Sequence, residues 1–464
     1  MRRTKIVATL GPATDNPPVL DAMFSAGVDV VRLNAAHAGP EELAKRLAAV
    51  REAESRAGRF VGVLLDLPGP KLRVGEVALG TLLEVGQPFS LVTSDCVGDA
   101  VRACVTYAGL ADDLSAGDRV LIDDGRVELI VTRTSAGRVD TLVEVGGELL
   151  SHKGVNVPGV TLGVDSLTEY DRTVLTWAMS SDIDYIGQSF VRTAHDVDAL
   201  RELMTVRRIP IVAKIEKHEA VASLLDIVAT ADAVMVARGD LGVETSPEEV
   251  PVVQRRIIAA ARAVGKPVVI ATQMLDSMTH APRPTRAEAS DVANAIFDRA
   301  DAVMLSGETA VGDYPLVVVE TMARIAAAAE EAVAGNGPDT HGATTDVQEA
   351  VSAAVCDLAA DLSLAAVVPV TESGATALAV ARHRPDTPIV AATPSAHTAH
   401  RLTLVWGVNP LVMQFSDDTD TLLETVVASL REAGIAEAGE RVAITAGRSA
   451  RTLGGTDFIL VREV

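Results

Sequence analysis

Long apolar runs are missing from this 464-residue chain. None approaches the roughly 20 residues of a membrane-spanning helix, which argues against a membrane partner. Cysteine is scarce: Cys96, Cys104 and Cys356 are an odd number without metal-ligand spacing. They offer no zinc-type cysteine site, suit a reducing cytosol and read as small core hydrophobes. Positive charge is also short. There are 41 Lys and Arg against 63 Asp and Glu, a net charge of −22. Such a surface excludes non-specific nucleic-acid binding. Aromatic residues make up only 3%, which carries no functional signal. The opening MRRTKIVATLGPAT has two arginines but a short apolar patch, so no signal peptide is expected and the protein is expected to be cytoplasmic.

Nearly half of the residues are apolar, and the length leaves room for two to four domains. The most informative segments are PIVAKIEKHEA from Pro210 and AVMVARGDLGVE from Ala233. In a strand, residues two apart share a face, so Lys214 and Glu216 point one way and Ala213 and Ile215 the other. An ammonium beside carboxylates at strand ends suits an anionic substrate and a hard metal ion. A structural ion pair is the plainer reading, but the pattern recurs. VVIATQMLDSM from Val268 and AVMLSGETA from Ala302 are also apolar runs that end abruptly in polar residues. Eight such runs alternate with helical stretches, starting at Lys5, Asp29, Phe60, Tyr185, Pro210, Ala233, Pro267 and Ala302. Eight parallel strands with intervening helices predict a (β/α)8 TIM barrel, with its active site at the C-terminal strand ends. Asn34, Asp66, Lys214, Glu216, Asp240, Thr272 and Ser306 fall there. Ser246-Pro-Glu-Glu predicts a helix N-terminus, and Gly265 a stop for that helix.

Two segments break the alternation. Between Asp66 and about Pro158, short β-type runs are punctuated by Gly and Asp, with a hairpin signal at Asp124-Gly125. This predicts an inserted all-β lid domain beside the active-site face. After the polar linker from Gly335, strands and helices alternate again, which predicts a C-terminal doubly wound α/β domain. The expected division is barrel 1–68, insert 69–158, barrel 159–338 and C-terminal domain 339–464. Within the last, Thr371, Glu372, Ser373, Gly374, Ala375 and Thr376 follow a strand and open a helix. Such a loop holds a phosphate on its N–H groups, or is a plain turn with an N-cap; both readings stand.

The chain resembles the pyruvate kinase family from end to end. The resemblance rests on RTKIVATLGPAT from Arg3, RLNAAH from Arg32, SHKGVNVPG from Ser151, and the Lys214 and Asp240 segments. It extends through ATQMLDSM from Ala271, PRPTRAEASDVANA from Pro282, VMLSGETA from Val303 and VTESGATA from Val370. It implies a barrel, a β lid and a regulatory domain, usually in a homotetramer. It implies phosphoryl transfer from phosphoenolpyruvate to ADP, giving ATP and pyruvate. By resemblance, Glu216 and Asp240 ligate Mg²⁺, with Mn²⁺ an alternative. Lys214 neutralises the migrating phosphoryl group and the enolate. Backbone N–H groups at Gly239 and Asp240 hold the carboxylate. Arg32 and Arg73 grip phosphate, Asn34 and His37 lie near the nucleotide phosphates, and Lys153 reaches them from the lid's return. Thr272 lies beside the methylene carbon, and Ser306 and Glu308 complete a proton relay through water. The last domain implies a phosphorylated effector at Thr371–Thr376, with Arg448 and Arg451 supplying charge or lying solvated at the surface.

The sequence departs from the family where many members bind K⁺. Asn34 and Asp66 are kept, but Ala36 replaces a serine, Leu67 a threonine, Pro68 a lysine and Lys71 a glutamate. Lys71 is expected to substitute for K⁺, with Asn34 and Asp66 as its partners, so that no K⁺ is required. Two other functions fit parts of the pattern. One is a Mg-dependent oxo-acid lyase on the same barrel. The other is a catalytically weakened regulatory homologue.

Overall fold

The structure, a computed structural model, describes residues 2–334, 346–447 and 456–464. The eight apolar runs are all strands of one closed parallel barrel: Lys5–Thr9, Val30–Asn34, Gly62–Leu67, Tyr185–Gln188, Ile211–Ile215, Ala233–Ala237, Val268–Ala271 and Ala302–Leu305. Each pairs with its sequence neighbours, and the first closes on the eighth through Lys5 to Ala302 and Val7 to Met304.

The period-two alternation of side chains makes the interior a stack of layers. Val7, Val30, Leu64, Val212, Ala233, Met235, Val269 and Met304 pack inside as an apolar floor. Their neighbours Ile6, Ala8, Val31, Val63, Ala213 and Ile215 face the surrounding helices. One inward step beyond the floor, the alternation reaches Thr9, Arg32, Asp66 and Lys214. The same pattern that builds the core therefore delivers polar residues at the C-terminal rim.

Helix Val250–Ala263 differs from the expectation at its start. Its N-cap is Glu249, and Pro251 occupies its first turn. Ser246 to Glu249 forms a separate turn, closed by the Glu249 amide donating to the Ser246 carbonyl at 2.9 Å. Both prolines fit a helix start, and the second is used. The stop at Gly265 is present, with φ of +69° and the Lys266 amide donating to the Ala261 carbonyl.

The insert is a six-stranded sheet in the order Val155–Asn156, Arg119–Ile122, Val127–Ser135, Arg138–Val145, Pro88–Val92, Arg102–Cys104. The hairpin at Asp124-Gly125 joins two antiparallel strands, with Asp123, Asp124 and Gly125 all at positive φ. One helical turn, Leu110–Asp113, interrupts the expected all-β composition.

The C-terminal domain is a five-stranded sheet in the order Val408–Val412, Ile389–Thr393, Ala366–Pro369, Arg441–Ala446, Phe458–Glu463. The first four are parallel, and the edge strand is antiparallel. This domain closes the foot of the barrel. Leu404 joins the barrel's interior cluster, and the Lys5 ammonium donates to the Val408 carbonyl at 2.7 Å. No helix among the described residues is long and apolar enough to cross a membrane.

Candidate active site

The C-terminal rim gathers its charges around Asp66. One oxygen, Oδ2, accepts both Nε and Nη2 of Arg32, with Nε at 2.8 Å. The other, Oδ1, lies 3.6 Å from Lys214 Nζ. Gly187 makes room for this carboxylate, since a Cβ there would sit 2.9 Å from Asp66 Oδ1. Lys214 Nζ also donates to Ser189 Oγ at 2.6 Å and lies 3.2 Å from Glu216 Oε2. Burial works against its charge, but Asp66 and Glu216 outweigh burial and raise the ammonium above the usual lysine range. The side chain is therefore a cation at neutral pH.

Glu216 is buried. Its Oε1 accepts the Phe190 amide at 2.7 Å. Burial pushes its carboxyl above the usual range despite Lys214, and Asp240 adds to the effect. Asp240 sits in the first turn of helix Arg238–Glu244, and its Oδ1 accepts Lys71 Nζ at 2.9 Å. Burial pushes this carboxyl up, but Lys71 and Lys214 outweigh it and hold the group below the ordinary range. Lys71 was expected to use Asn34 and Asp66, and its ion pair is instead with Asp240. Asp66 is occupied by Arg32 and Lys214, and Asn34 Oδ1 accepts the Ala36 amide at 3.1 Å.

The residues fit a divalent cation. Glu216 Oε2 and Asp66 Oδ1 are buried anionic oxygens that accept no hydrogen bond. Both face the Lys214 ammonium, at 3.2 and 3.6 Å, and a hard cation would offset the cost of the hydrogen bonds they lack.

Thr272 follows the seventh strand at φ of +65°, in the left-handed region. A β-branched residue held there stores on the order of 1–3 kcal/mol of strain. Arg238 secures the turn. Its guanidinium donates to the Thr272 carbonyl at 2.7 Å, the Ala271 carbonyl at 3.3 Å and Asp291 at 2.6 Å. Thr272 Oγ1 in turn accepts the Gly239 amide at 2.8 Å. That amide, expected to hold a substrate carboxylate, is thus engaged here, and a substrate would take it over from Thr272.

The other expected residues are more dispersed. Glu308 is buried and accepts the Leu275 amide at 3.2 Å and the Ser306 amide at 2.6 Å. It orders the loops after the seventh and eighth strands, while the buried Ser306 Oγ makes no hydrogen bond. His37 is exposed, and Leu67 is buried. Arg73 donates to the His152 carbonyl at 2.9 Å, and Lys153 pairs with Asp123 at 2.9 Å. Both bonds stay within the insert, and neither reaches the Lys214 cluster. Thr371 Oγ1 accepts the Gly374 amide at 3.0 Å, and Ser373 Oγ accepts the Ala375 amide at 3.4 Å. Thr376 bonds Thr456 at 2.7 Å, and Glu372 is exposed. Arg448 and Arg451 lie outside the described residues.

Sequence reasoning passed over Ser189, Phe190 and Arg238. Ser189 continues the inward alternation of Tyr185 and Gly187, so strand periodicity contained its signal. Phe190 has φ of +58°, and its role is carried by a backbone amide that no residue type announces. Arg238 acts on carbonyls of a distant strand end, which only the folded chain brings near.

A closed barrel with a buried ammonium among carboxylates at its C-terminal rim defines an enzyme for anionic, metal-assisted chemistry. The comparisons narrow the class. The pyruvate kinase barrel domain matches residues 1–319, and the pyruvate kinase alpha/beta domain matches residues 349–462. The chain is 43% identical over 472 residues to pyruvate kinase of Geobacillus stearothermophilus, covering all of this chain and 80% of that relative. It is 43% identical over 466 residues to pyruvate kinase of Mycobacterium intracellulare, covering 100% and 98%. The crystal structure of a pyruvate kinase from Cryptosporidium parvum superposes with a TM-score of 0.91 at 31% identity, covering 100% and 96%. The chain belongs to the pyruvate kinase family.

The Thr272 turn gives a direct test. Arg238→Lys keeps the charge but loses the planar fork that holds two carbonyls and a carboxylate together. Misplacing Thr272 and the Gly239 amide should lower kcat on the order of 10²-fold with the fold intact. Unchanged steady-state kinetics in the variant would show that the turn holds without the fork.

Proposed function

We propose that this chain transfers the phosphoryl group of phosphoenolpyruvate to ADP and protonates the resulting enolate to pyruvate. Members of this family use those substrates and generally require a divalent metal. The observation that carries the reading is the raised, buried Lys214 ammonium between Asp66, Glu216 and Ser189. Phosphoryl transfer needs positioning and charge neutralisation more than covalent help. Lys214 supplies a fixed cation where the phosphoryl group and enolate carry charge, and Arg32, oriented by Asp66 and Thr9, supplies a second. Glu216 and Asp240 would hold Mg²⁺ or Mn²⁺. The metal, when bound, neutralises substrate oxygens and orients them. Thr272 would stand beside the substrate's methylene carbon. Asn34, His37, Arg73 and Lys153 would approach the nucleotide.

The insert is tied to the metal-carrying helix at both stems. Lys71 bonds Asp240, and Asn156 donates to Glu244 at 3.1 Å. Glu244 is in turn paired with the buried Lys217 at 2.7 Å. Lid position and the metal ligand Asp240 are therefore mechanically linked. The same Lys71 supports catalysis without K⁺, since an ammonium there supplies a permanent positive charge beside the anionic cluster.

The C-terminal loop Thr371–Thr376 supports a site for a phosphorylated effector in an expected homotetramer. Its Gly374 and Ala375 amides lie at the start of helix Ala375–Arg382 and are held only by side chains of the same loop. An anion would replace those bonds.

Three outcomes are expected from a coupled assay of pyruvate formation. Lys214→Met should lose on the order of 10²–10³ in rate or more while remaining folded. Near-normal turnover in that variant would remove Lys214 from the mechanism. With tetramethylammonium salts holding ionic strength constant, the wild type should turn over without K⁺, and Lys71→Glu should acquire a partial K⁺ requirement. A wild type silent until K⁺ is added would contradict the role of Lys71. Sugar phosphates or AMP should shift the substrate dependence of the wild type but not of the Ser373→Ala, Thr376→Ala double variant. An identical response from both would place the effector elsewhere.

A further inference from the structure

The opposite end of the barrel carries a second cluster that phosphoryl transfer does not use. Asp182 and Asp184 precede the fourth strand, Tyr185–Gln188, and face helix Ala396–Leu402 of the C-terminal domain. Arg51 divides each carboxylate into a used and an unused half. It lies 2.7 Å from Asp182 Oδ2 and 2.9 Å from Asp184 Oδ2, and the Val63 amide also donates to Asp184 Oδ2. The two Oδ1 atoms turn towards histidines. Asp182 Oδ1 is 3.7 Å from His397 Nδ1, and Asp184 Oδ1 is 3.9 Å from His400 Nδ1. One ligand atom from each of Asp182, Asp184 and His397 lies within 4.8 Å of the others.

Two buried atoms in this cluster lack the partner that burial demands. Asp184 is 2% exposed and its Oδ1 accepts no hydrogen bond. His400 is 7% exposed and its Nδ1 has no hydrogen-bond partner. The other ring nitrogen, Nε2, is 2.5 Å from Glu54 Oε1, and Phe60 packs edge-on against the ring at 5.1 Å. A proton on Nε2, donated to Glu54, leaves a lone pair on Nδ1 facing the lone pairs of Asp184 Oδ1.

We infer that Asp182, Asp184 and His397, with the buried Asp184 Oδ1 left without a hydrogen bond, form a site for a zinc-class divalent ion that joins the barrel to the C-terminal domain. Two carboxylate oxygens and one imidazole nitrogen, with a water in the fourth position, suit tetrahedral Zn²⁺ better than Mg²⁺, which prefers oxygen and water. Donors at about 2.0–2.1 Å from zinc stand about 3.3 Å apart, so the cluster must draw in slightly. Asp182 and His397 can supply that movement, because their side chains are 43% and 59% exposed. Arg207 holds the carbonyls of Ser181 and Ile183, which fixes the loop that carries Asp182.

The test uses the full chain, stripped with EDTA and held in saturating Mg²⁺ so that Glu216 and Asp240 are occupied. Zn²⁺ is then titrated calorimetrically and its stoichiometry checked by elemental analysis. The wild type should take up one more tightly bound Zn²⁺ per chain than His397→Ala or Asp182→Asn, and Zn²⁺ should raise its Tm but not theirs. No Zn²⁺ uptake by the wild type would overturn the site, as would equal uptake and affinity in wild type and both ligand variants.

Discussion

Asp66 is the constraint on which the active site depends. One buried carboxylate holds Arg32 through Oδ2 and faces Lys214 through Oδ1. Without it, two cations would share a water-poor rim without a fixed geometry, and their repulsion would disperse them. With it, Lys214 remains charged despite burial, and Arg32 is held in a fixed orientation between Asp66 and Thr9. The demands of Asp66 reach into the backbone, since Gly187 leaves the carboxylate its volume. A barrel interior is close-packed, so a polar rim of this kind exists only where the adjoining strand yields space.

Around that centre the protein accepts local strain in return for position. Thr272 and Phe190 both occupy left-handed backbone conformations, and each presents a backbone or hydroxyl group to the site. Thr272 is secured by Arg238 from the adjacent strand end, and the Phe190 amide is secured by Glu216. The helix that carries Asp240 is contacted by both stems of the insert. The position of the insert is thereby tied to the helix that carries Asp240. At the far end, the C-terminal domain plugs the barrel with Leu404 and meets the histidine and aspartate cluster.

Much of this was legible in the sequence, for a physical reason. Buried parallel strands need near-continuous apolar runs, and all eight barrel strands announced themselves in that way. Lys214 and Glu216 were readable because strand periodicity fixes which residues share a face. Local signals were weaker where alternatives compete over a few residues. Ser246 and Pro247 offered a helix start, and the chain began its helix at Val250, where Pro251 also fits the first turn. Long-range partners were not legible. Lys71 was assigned to Asn34 and Asp66 because they belong to one resemblance, yet its ammonium reaches Asp240, 169 residues away. The partners of Arg238 and the approach of His400 to Asp184 likewise exist only once distant segments are packed together.

The central claim is that Glu216 and Asp240, the carboxylates around Lys214 and Lys71, would hold a metal ion and are not merely structural ion pairs. Binding of Mn²⁺ followed by electron paramagnetic resonance tests it most directly, because the readout does not depend on turnover. In the presence of EDTA-cleared protein and excess K⁺-free buffer, the account predicts one Mn²⁺ per chain at this rim. Glu216→Gln and Asp240→Asn should each weaken that binding by about tenfold or more, since a neutral amide is a poorer ligand for a hard cation. Mn²⁺ affinity and spectra unchanged in both variants would contradict the account.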